Sequence, residues 1–118
     1  MSVLVVEDEA LIRIAAVDLV ESLGLEAVEA ANADEAIIIL DRRRDIRLVL
    51  TDVDMPGSMD GLRLAHYIAH RWPPIRLIVV SGKAVVAESQ LPKGTGFLSK
   101  PYAEHEVTNA IKSMLQIG

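Results

Sequence analysis

Short apolar runs alternate with amphipathic segments along this chain of 118 residues. Runs that are rich in β-branched residues are typical of strands buried inside a sheet. They lie at residues 3–6, 25–30, 46–51 and 75–80, with a shorter candidate at 97–99. Between the runs, apolar residues spaced three and four apart predict helices. The pattern predicts five strand–helix units, which we expect to form a doubly wound α/β fold with a parallel sheet.

Capping residues and helix breakers place the predicted helices. Asn32, followed three residues later by Glu35, is typical of a capping box at the start of the second helix. Asp60 is expected to cap a third helix over residues 62–71. Residues 84–91 leave room only for a short fourth helix, because prolines and glycines follow at once. The other two helices are predicted from apolar stripes, the first from Leu11, Ile12, Ala15, Leu19, Val20 and Leu23, and the last from Val107, Ala110, Ile111 and Met114.

The composition limits the folds and the functions that this chain can have. The chain is 51% hydrophobic but has only one Trp, two Tyr and one Phe, so the core should consist of aliphatic residues. Its length fits one domain over residues 1–118. The absence of cysteine excludes a disulfide scaffold, a thiolate zinc site and a cysteine nucleophile. The net charge of −5 disfavours nucleic acid and anionic membranes as partners. We find no pattern of a signal peptide or membrane span, and expect a soluble cytoplasmic protein.

Polar side chains follow four of the five predicted strands. Glu7 and Asp8 follow the first strand, Asp52 the third, Ser81 the fourth and Lys100 the fifth. In doubly wound sheets, ligands bind at the carboxyl ends of the strands, so we expect these side chains to converge there. Three carboxylates about 4 Å apart repel one another, and a hard cation such as Mg²⁺ relieves that repulsion. Asp52 is then the natural nucleophile for an aspartyl phosphate, with Lys100 and Ser81 available to the phosphoryl oxygens.

Five motifs occur in order along essentially the whole chain. They are Val5-Val6-Glu7-Asp8-Glu9, Asp52-Val53-Asp54-Met55-Pro56, Met59-Asp60-Gly61, Ser81-Gly82 and Lys100-Pro101-Tyr102. Together they resemble the response regulator receiver domains of two-component signalling. The resemblance implies a flavodoxin-like sheet in the order 2-1-3-4-5, flanked by five helices. The loop at residues 56–61 is one residue longer than the commoner form of this motif.

The resemblance also implies roles for the residues at the strand ends. Asp52 would receive a phosphoryl group from a phosphohistidine on a histidine kinase or a histidine phosphotransfer protein. Asp8 and Asp52 would hold Mg²⁺ directly, Glu7 would act through water, and Asp54 would offer its backbone carbonyl. Lys100 would pair with the phosphoryl oxygens. On this view the domain is a signalling receiver that catalyses its own phosphorylation and slow dephosphorylation, not a conventional enzyme.

Switching is the second property that the resemblance implies. Ser81 would swing to hydrogen-bond the phosphoryl group, and Phe97 would move inward to fill the space that Ser81 leaves. The Lys100-Pro101 peptide bond would be cis by the same analogy. A separate hypothesis is that Lys83 reaches Asp54 across the site and shields the phosphoryl group from water.

Three other functions compete with this one. A haloacid-dehalogenase-type aspartyl-phosphate phosphatase uses a pair like Asp52-x-Asp54, but after its first strand. A flavin or nucleotide binder needs a phosphate-cradling first loop, whereas this loop is acidic. A receiver that is never phosphorylated and serves only as an interaction module stays open. The sequence also does not decide between a stand-alone regulator and the excised receiver of a hybrid kinase. The downstream partner is therefore open as well.

Two further features of the sequence have ordinary structural explanations. Arg42, Arg43 and Arg44 end the second helix, where cations complement the helix dipole, and no aromatic platform accompanies them. We therefore predict no nucleic-acid partner. Trp72, next to two prolines, is interpreted as a packed helix end.

Overall fold

A computed structural model describes residues 1–57, 59–82 and 86–117 as a parallel sheet with helices on both faces. The five strands are β1 (Ser2–Val6), β2 (Glu26–Ala30), β3 (Ile46–Asp52), β4 (Arg76–Ser81) and β5 (Gly96–Ser99). Their order is β2-β1-β3-β4-β5, and every neighbouring pair is parallel. The predicted fold class and strand order are confirmed. Each strand boundary lies no more than one residue from its predicted position.

Four α-helices lie in the described part of the chain. They are α1 (Ala10–Glu21), α2 (Ala33–Arg42), α3 (Gly61–Arg71) and α4 (Glu104–Leu115). The predicted caps are present: the Asn32 side chain accepts a hydrogen bond from the Glu35 amide at 2.9 Å, and Asp60 accepts one from the Arg63 amide at 2.9 Å. The Glu35 carboxylate reaches back to the amide of Ala31 rather than to that of Asn32. Within the described residues, no helix is both long and apolar enough to cross a bilayer.

The prediction of five helices is wrong in the segment before β5. A single 3-10 turn at Glu88–Gln90 stands where the short fourth helix was expected, and Ala87 and Leu91 on either side have extended backbone. A segment this short makes too few hydrogen bonds to offset the cost of nucleating an α-helix. Residues 83–85 lie outside the described residues, and so does the hypothesis about Lys83.

The core lies on both faces of the sheet. Successive strand residues point to opposite faces, so Leu4 and Val6 pack with α2 and α3, whereas Val3 and Val5 pack with α1 and α4. The buried hydrophobic residues of the described chain include no aromatic one, as the composition predicted. Leu11 and Ala15 depart from the predicted stripe of α1, because both are exposed, Leu11 by 83%. The helices cover the two faces of the sheet, so polar groups are left to the edge where the strands end.

Candidate functional site

Three carboxylates meet at the carboxyl edge of the sheet. Glu7 follows β1 directly and Asp52 ends β3, the neighbouring strand, so the topology places them side by side. Both are buried, with 4% and 6% of their surface exposed, whereas Asp8 is exposed. Each of the three offers an oxygen atom, and these oxygens all lie within 4.8 Å of one another. The predicted convergence of acidic groups is thus present in the structure.

Lys100 supplies the positive charge of the site. Its ammonium Nζ lies 3.0 Å from Oδ2 of Asp52 and 3.3 Å from Oε1 of Glu7. The Lys100 amide also donates to the Ser81 carbonyl at 2.9 Å, which extends the β4–β5 pairing past the end of the sheet. The peptide bond from Lys100 to Pro101 is cis, as the resemblance implied. One cation therefore faces two buried carboxylates.

Asp54 and Ser81 form a second cluster beside Asp52. The Asp54 amide donates to Oδ1 of Asp52 at 3.2 Å. Oδ2 of Asp54 accepts hydrogen bonds from the Ser81 hydroxyl at 3.4 Å and from the Gly82 amide at 3.3 Å. Phe97 lies apart, on β5 and paired in register with Val79, and it is 37% exposed.

The surroundings of the cluster disfavour the charged form of the Glu7 carboxylate. Burial, reinforced by neighbouring Asp8 and Asp52, raises the pKa of Glu7 to about 7, although the Glu9 amide and Lys100 act in the opposite direction. Burial alone would lower the pKa of Lys100, but the hydrogen bonds and charges of Asp52 and Glu7 outweigh it and raise that pKa. The site therefore tends to hold an extra proton near neutral pH.

The donor chemistry fits a hard divalent cation. Glu7, Asp8 and Asp52 offer oxygen ligands alone, and within the described residues no histidine joins this cluster. Mg²⁺ typically takes one or two carboxylates and keeps several waters, which suits a cluster with one exposed member. A cation would also favour the charged form of Glu7, against the burial and the charge repulsion that together raise its pKa.

Two residues support the site without having been singled out for it in the sequence. A Cβ atom on Gly61 would lie 1.8 Å from the carbonyl oxygen of Asp52, so only glycine lets α3 begin this close to the end of β3. Arg13 of α1 donates from Nη1 to the carbonyl of Glu7 at 2.7 Å and pairs with Glu29 of β2. Gly61 belongs to the Met59-Asp60-Gly61 motif, but the motif alone does not show why the residue is glycine. Both contacts depend on how separate elements pack, which the sequence does not show.

Comparison with known proteins decides the family. The family model described as "Response regulator receiver domain" matches residues 3–112. This chain belongs to the response regulator receiver family. It is accordingly a receiver domain of two-component signalling.

The relatives of this receiver include a protein of about its own length and much longer proteins. Sensor kinase CckA of Brucella abortus is 36% identical over 98% of this chain and 12% of its own length. Response regulator receiver protein CpdR of the same organism is 31% identical over 96% of this chain and 95% of its own. A crystal structure of the receiver domain from hybrid histidine kinase CckA matches with a TM-score of 0.82 at 32% identity, over 98% of this chain and 100% of that one. The first three curated relatives are much longer than this receiver, which spans 12%, 42% and 46% of them.

Proposed function

We propose that residues 1–118 form one cytoplasmic receiver domain that accepts a phosphoryl group on Asp52. The donor is the phosphohistidine of a histidine kinase or histidine phosphotransfer protein, and the result is a change in protein–protein contacts. One observation carries the proposal: the buried Asp52 carboxylate is shared between the Lys100 ammonium at 3.0 Å and an acidic cluster suited to a cation. This combination accommodates the negative charge that a phosphoryl group brings.

The metal in this proposal is Mg²⁺. Asp8 and Asp52 would hold it directly, Glu7 would act through water, and Asp54 would offer its backbone carbonyl. When bound, Mg²⁺ neutralises carboxylate charge and polarises a phosphoryl oxygen. Metal affinity is expected to depend on pH, because Glu7 has to lose the proton that its raised pKa retains.

Asp52 is the nucleophile of the transfer. One of its carboxylate oxygens forms a bond to phosphorus, the bond from phosphorus to the donor imidazole nitrogen breaks, and the electron pair stays on that nitrogen. Lys100 then exchanges its contact with Asp52 Oδ2 for the phosphoryl oxygens, whose charge it offsets. The Ser81 hydroxyl, now on Asp54 at 3.4 Å, turns to donate to another phosphoryl oxygen.

The conformational response in this proposal involves Ser81 and Phe97. Ser81 is 3% exposed and lies at the end of β4, whereas Phe97 on β5 is 37% exposed. Movement of Ser81 toward the phosphoryl group frees space that the Phe97 ring enters. The transition changes the surface around β5, and a partner protein that binds this surface can distinguish the two states.

Intact mass spectrometry with acetyl phosphate tests this function. Wild type incubated with Mg²⁺ should gain one phosphoryl mass, and EDTA should abolish the gain. The Asp52→Asn variant should gain none, whereas Asp54→Asn, the matched aspartate two residues away, should still be modified. Modification of Asp52→Asn to the wild-type extent would overturn the assignment.

The same variants separate the alternatives. A dehalogenase-type phosphatase would turn over p-nitrophenyl phosphate steadily and lose that turnover in Asp54→Asn. An interaction module that is never phosphorylated would gain no mass from acetyl phosphate or from a phosphorylated histidine phosphotransfer protein. The proposed receiver shows a stoichiometric gain without sustained turnover.

A further inference from the structure

A cleft lies at the amino-terminal edge of the sheet, on the side of the molecule away from Asp52. It has an open volume of about 270 Å³ and is formed by the end of α2, the start of β3 and the segment after α3. β3 runs from Ile46 in the cleft to Asp52 in the phosphoacceptor site, a distance of about 20 Å at the usual rise per residue. The cleft is therefore separate from the site described above.

Four arginines line the cleft, and they differ in how their charge is balanced. Arg43 donates to Asp45 at 2.9 and 2.6 Å, and Arg71 donates to Asp41 at 2.8 Å. Arg44 and Arg47 are exposed, and neither has a carboxylate partner within the described residues. The Arg47 guanidinium donates only to the backbone carbonyl of Arg44, at 2.8 Å. Among the described residues, the guanidinium charges of Arg44 and Arg47 thus have no carboxylate to neutralise them.

The remaining lining of the cleft is largely apolar. Ile46 is buried, and Trp72 and Ile75 are partly buried side chains that pack against the core. The guanidinium of Arg71 stacks over the indole of Trp72 at 5.1 Å, which holds the ring in place. An apolar wall fixed in this way in the same cleft as Arg44 and Arg47 suits a ligand with an apolar side chain and neighbouring carboxylates.

We propose that this cleft binds an acidic peptide segment of a partner protein, with an apolar side chain against Trp72 and carboxylates on Arg44 and Arg47. A peptide fits better than a nucleic acid for two reasons. Within the described residues, two of the four guanidinium groups already have a carboxylate partner. The net charge of −5 also repels a nucleic acid, which is charged at every nucleotide, more than a short peptide with a few carboxylates. Because the cleft lies about 20 Å from Asp52, a bound peptide does not contact the phosphoacceptor site.

Tryptophan fluorescence reports on binding in this cleft, since Trp72 is the only tryptophan in the chain. The full chain is titrated with a short synthetic peptide that has a central leucine pair flanked by glutamates. We expect a saturable change in emission and an affinity that falls as ionic strength rises. Asp52→Asn should bind the peptide as wild type does, which separates this result from the outcome of the phosphorylation experiment.

Matched variants and probes make the test specific. The double variant Arg44→Gln/Arg47→Gln should bind about tenfold more weakly, a loss of about 1.4 kcal/mol, whereas Arg63→Gln, an exposed arginine of α3, should bind normally. Peptides with lysines for the glutamates, or with serines for the leucines, should not compete. The proposal is wrong if emission does not saturate, if the double variant binds like wild type, or if the lysine peptide binds equally well. Displacement of the acidic peptide by a single-stranded oligonucleotide at equal concentration would also overturn it.

Discussion

Replacing Glu7 by glutamine is expected to stabilise the metal-free protein at pH 8. The folded protein raises the pKa of Glu7 from 4.5 to about 7, so the folded state binds more protons than the unfolded state between these values. Stability therefore rises as pH falls through 7, and the charged carboxylate costs stability above it. At about 1.4 kcal/mol per pKa unit the cost is about 3.4 kcal/mol. Solvent screening at the open edge of the site reduces this to about 1–2 kcal/mol.

Urea denaturation in EDTA at pH 8 and pH 5 measures this effect. Glutamine keeps an acceptor for the Glu9 amide, which bonds Glu7 at 3.1 Å, and removes only the charge. The gain from Glu7→Gln should be present at pH 8 and mostly lost at pH 5. The control is Glu9→Gln, which removes an equal charge from an exposed position in the same loop. Equal stability of Glu7→Gln and wild type at pH 8, or an equal gain from the control, would refute the reasoning.

Three further predictions concern the metal, the backbone and the opposite edge of the sheet. Mg²⁺ should bind wild type more weakly at pH 6 than at pH 8, since Glu7 takes up a proton near pH 7; equal calorimetric affinities would contradict this. Gly61→Ala should lower the free energy of unfolding by at least about 2 kcal/mol, because its Cβ meets the Asp52 carbonyl at 1.8 Å, and an unchanged urea midpoint would oppose it. Asp45, hydrogen-bonded to Arg43, has a lowered pKa, so its contribution to stability is present above about pH 4 and is lost below it. The urea midpoint of wild type should therefore fall more than that of Asp45→Asn between pH 5 and pH 3, and parallel falls would argue against the pairing.

The position of the site could be predicted because it follows from strand order. A short apolar run precedes each of the site residues Glu7, Asp52, Ser81 and Lys100. The carboxyl ends of parallel strands lie at the same edge of the sheet, however the helices pack. The strand order itself was inherited from the family resemblance. Local patterns also sufficed for the capping residues, since Asn32 bonds an amide only three residues away.

Features that depend on contacts between distant elements could not be predicted. The need for glycine at position 61 arises from the approach of α3 to the Asp52 carbonyl. Leu11 follows the helical spacing, yet nothing in the described structure covers it, and it is 83% exposed. Arg44 was interpreted as a helix-end cation, and only the fold shows that it shares a cleft with Trp72. The prediction of a fourth helix before β5 failed for a different reason. A short apolar segment does not by itself show which local structure it forms, and here the structure has a 3-10 turn.

Chemical mapping of the modified residue is the most direct test of the central claim. Wild type treated with acetyl phosphate and Mg²⁺ is reduced with borohydride, which converts an aspartyl phosphate into homoserine, and its peptides are analysed by mass spectrometry. The account predicts homoserine at position 52 in the peptide that also contains unmodified Asp54, and its loss when EDTA is present. Homoserine at Asp54 or Asp8 with position 52 unchanged, or no homoserine at all, would contradict it.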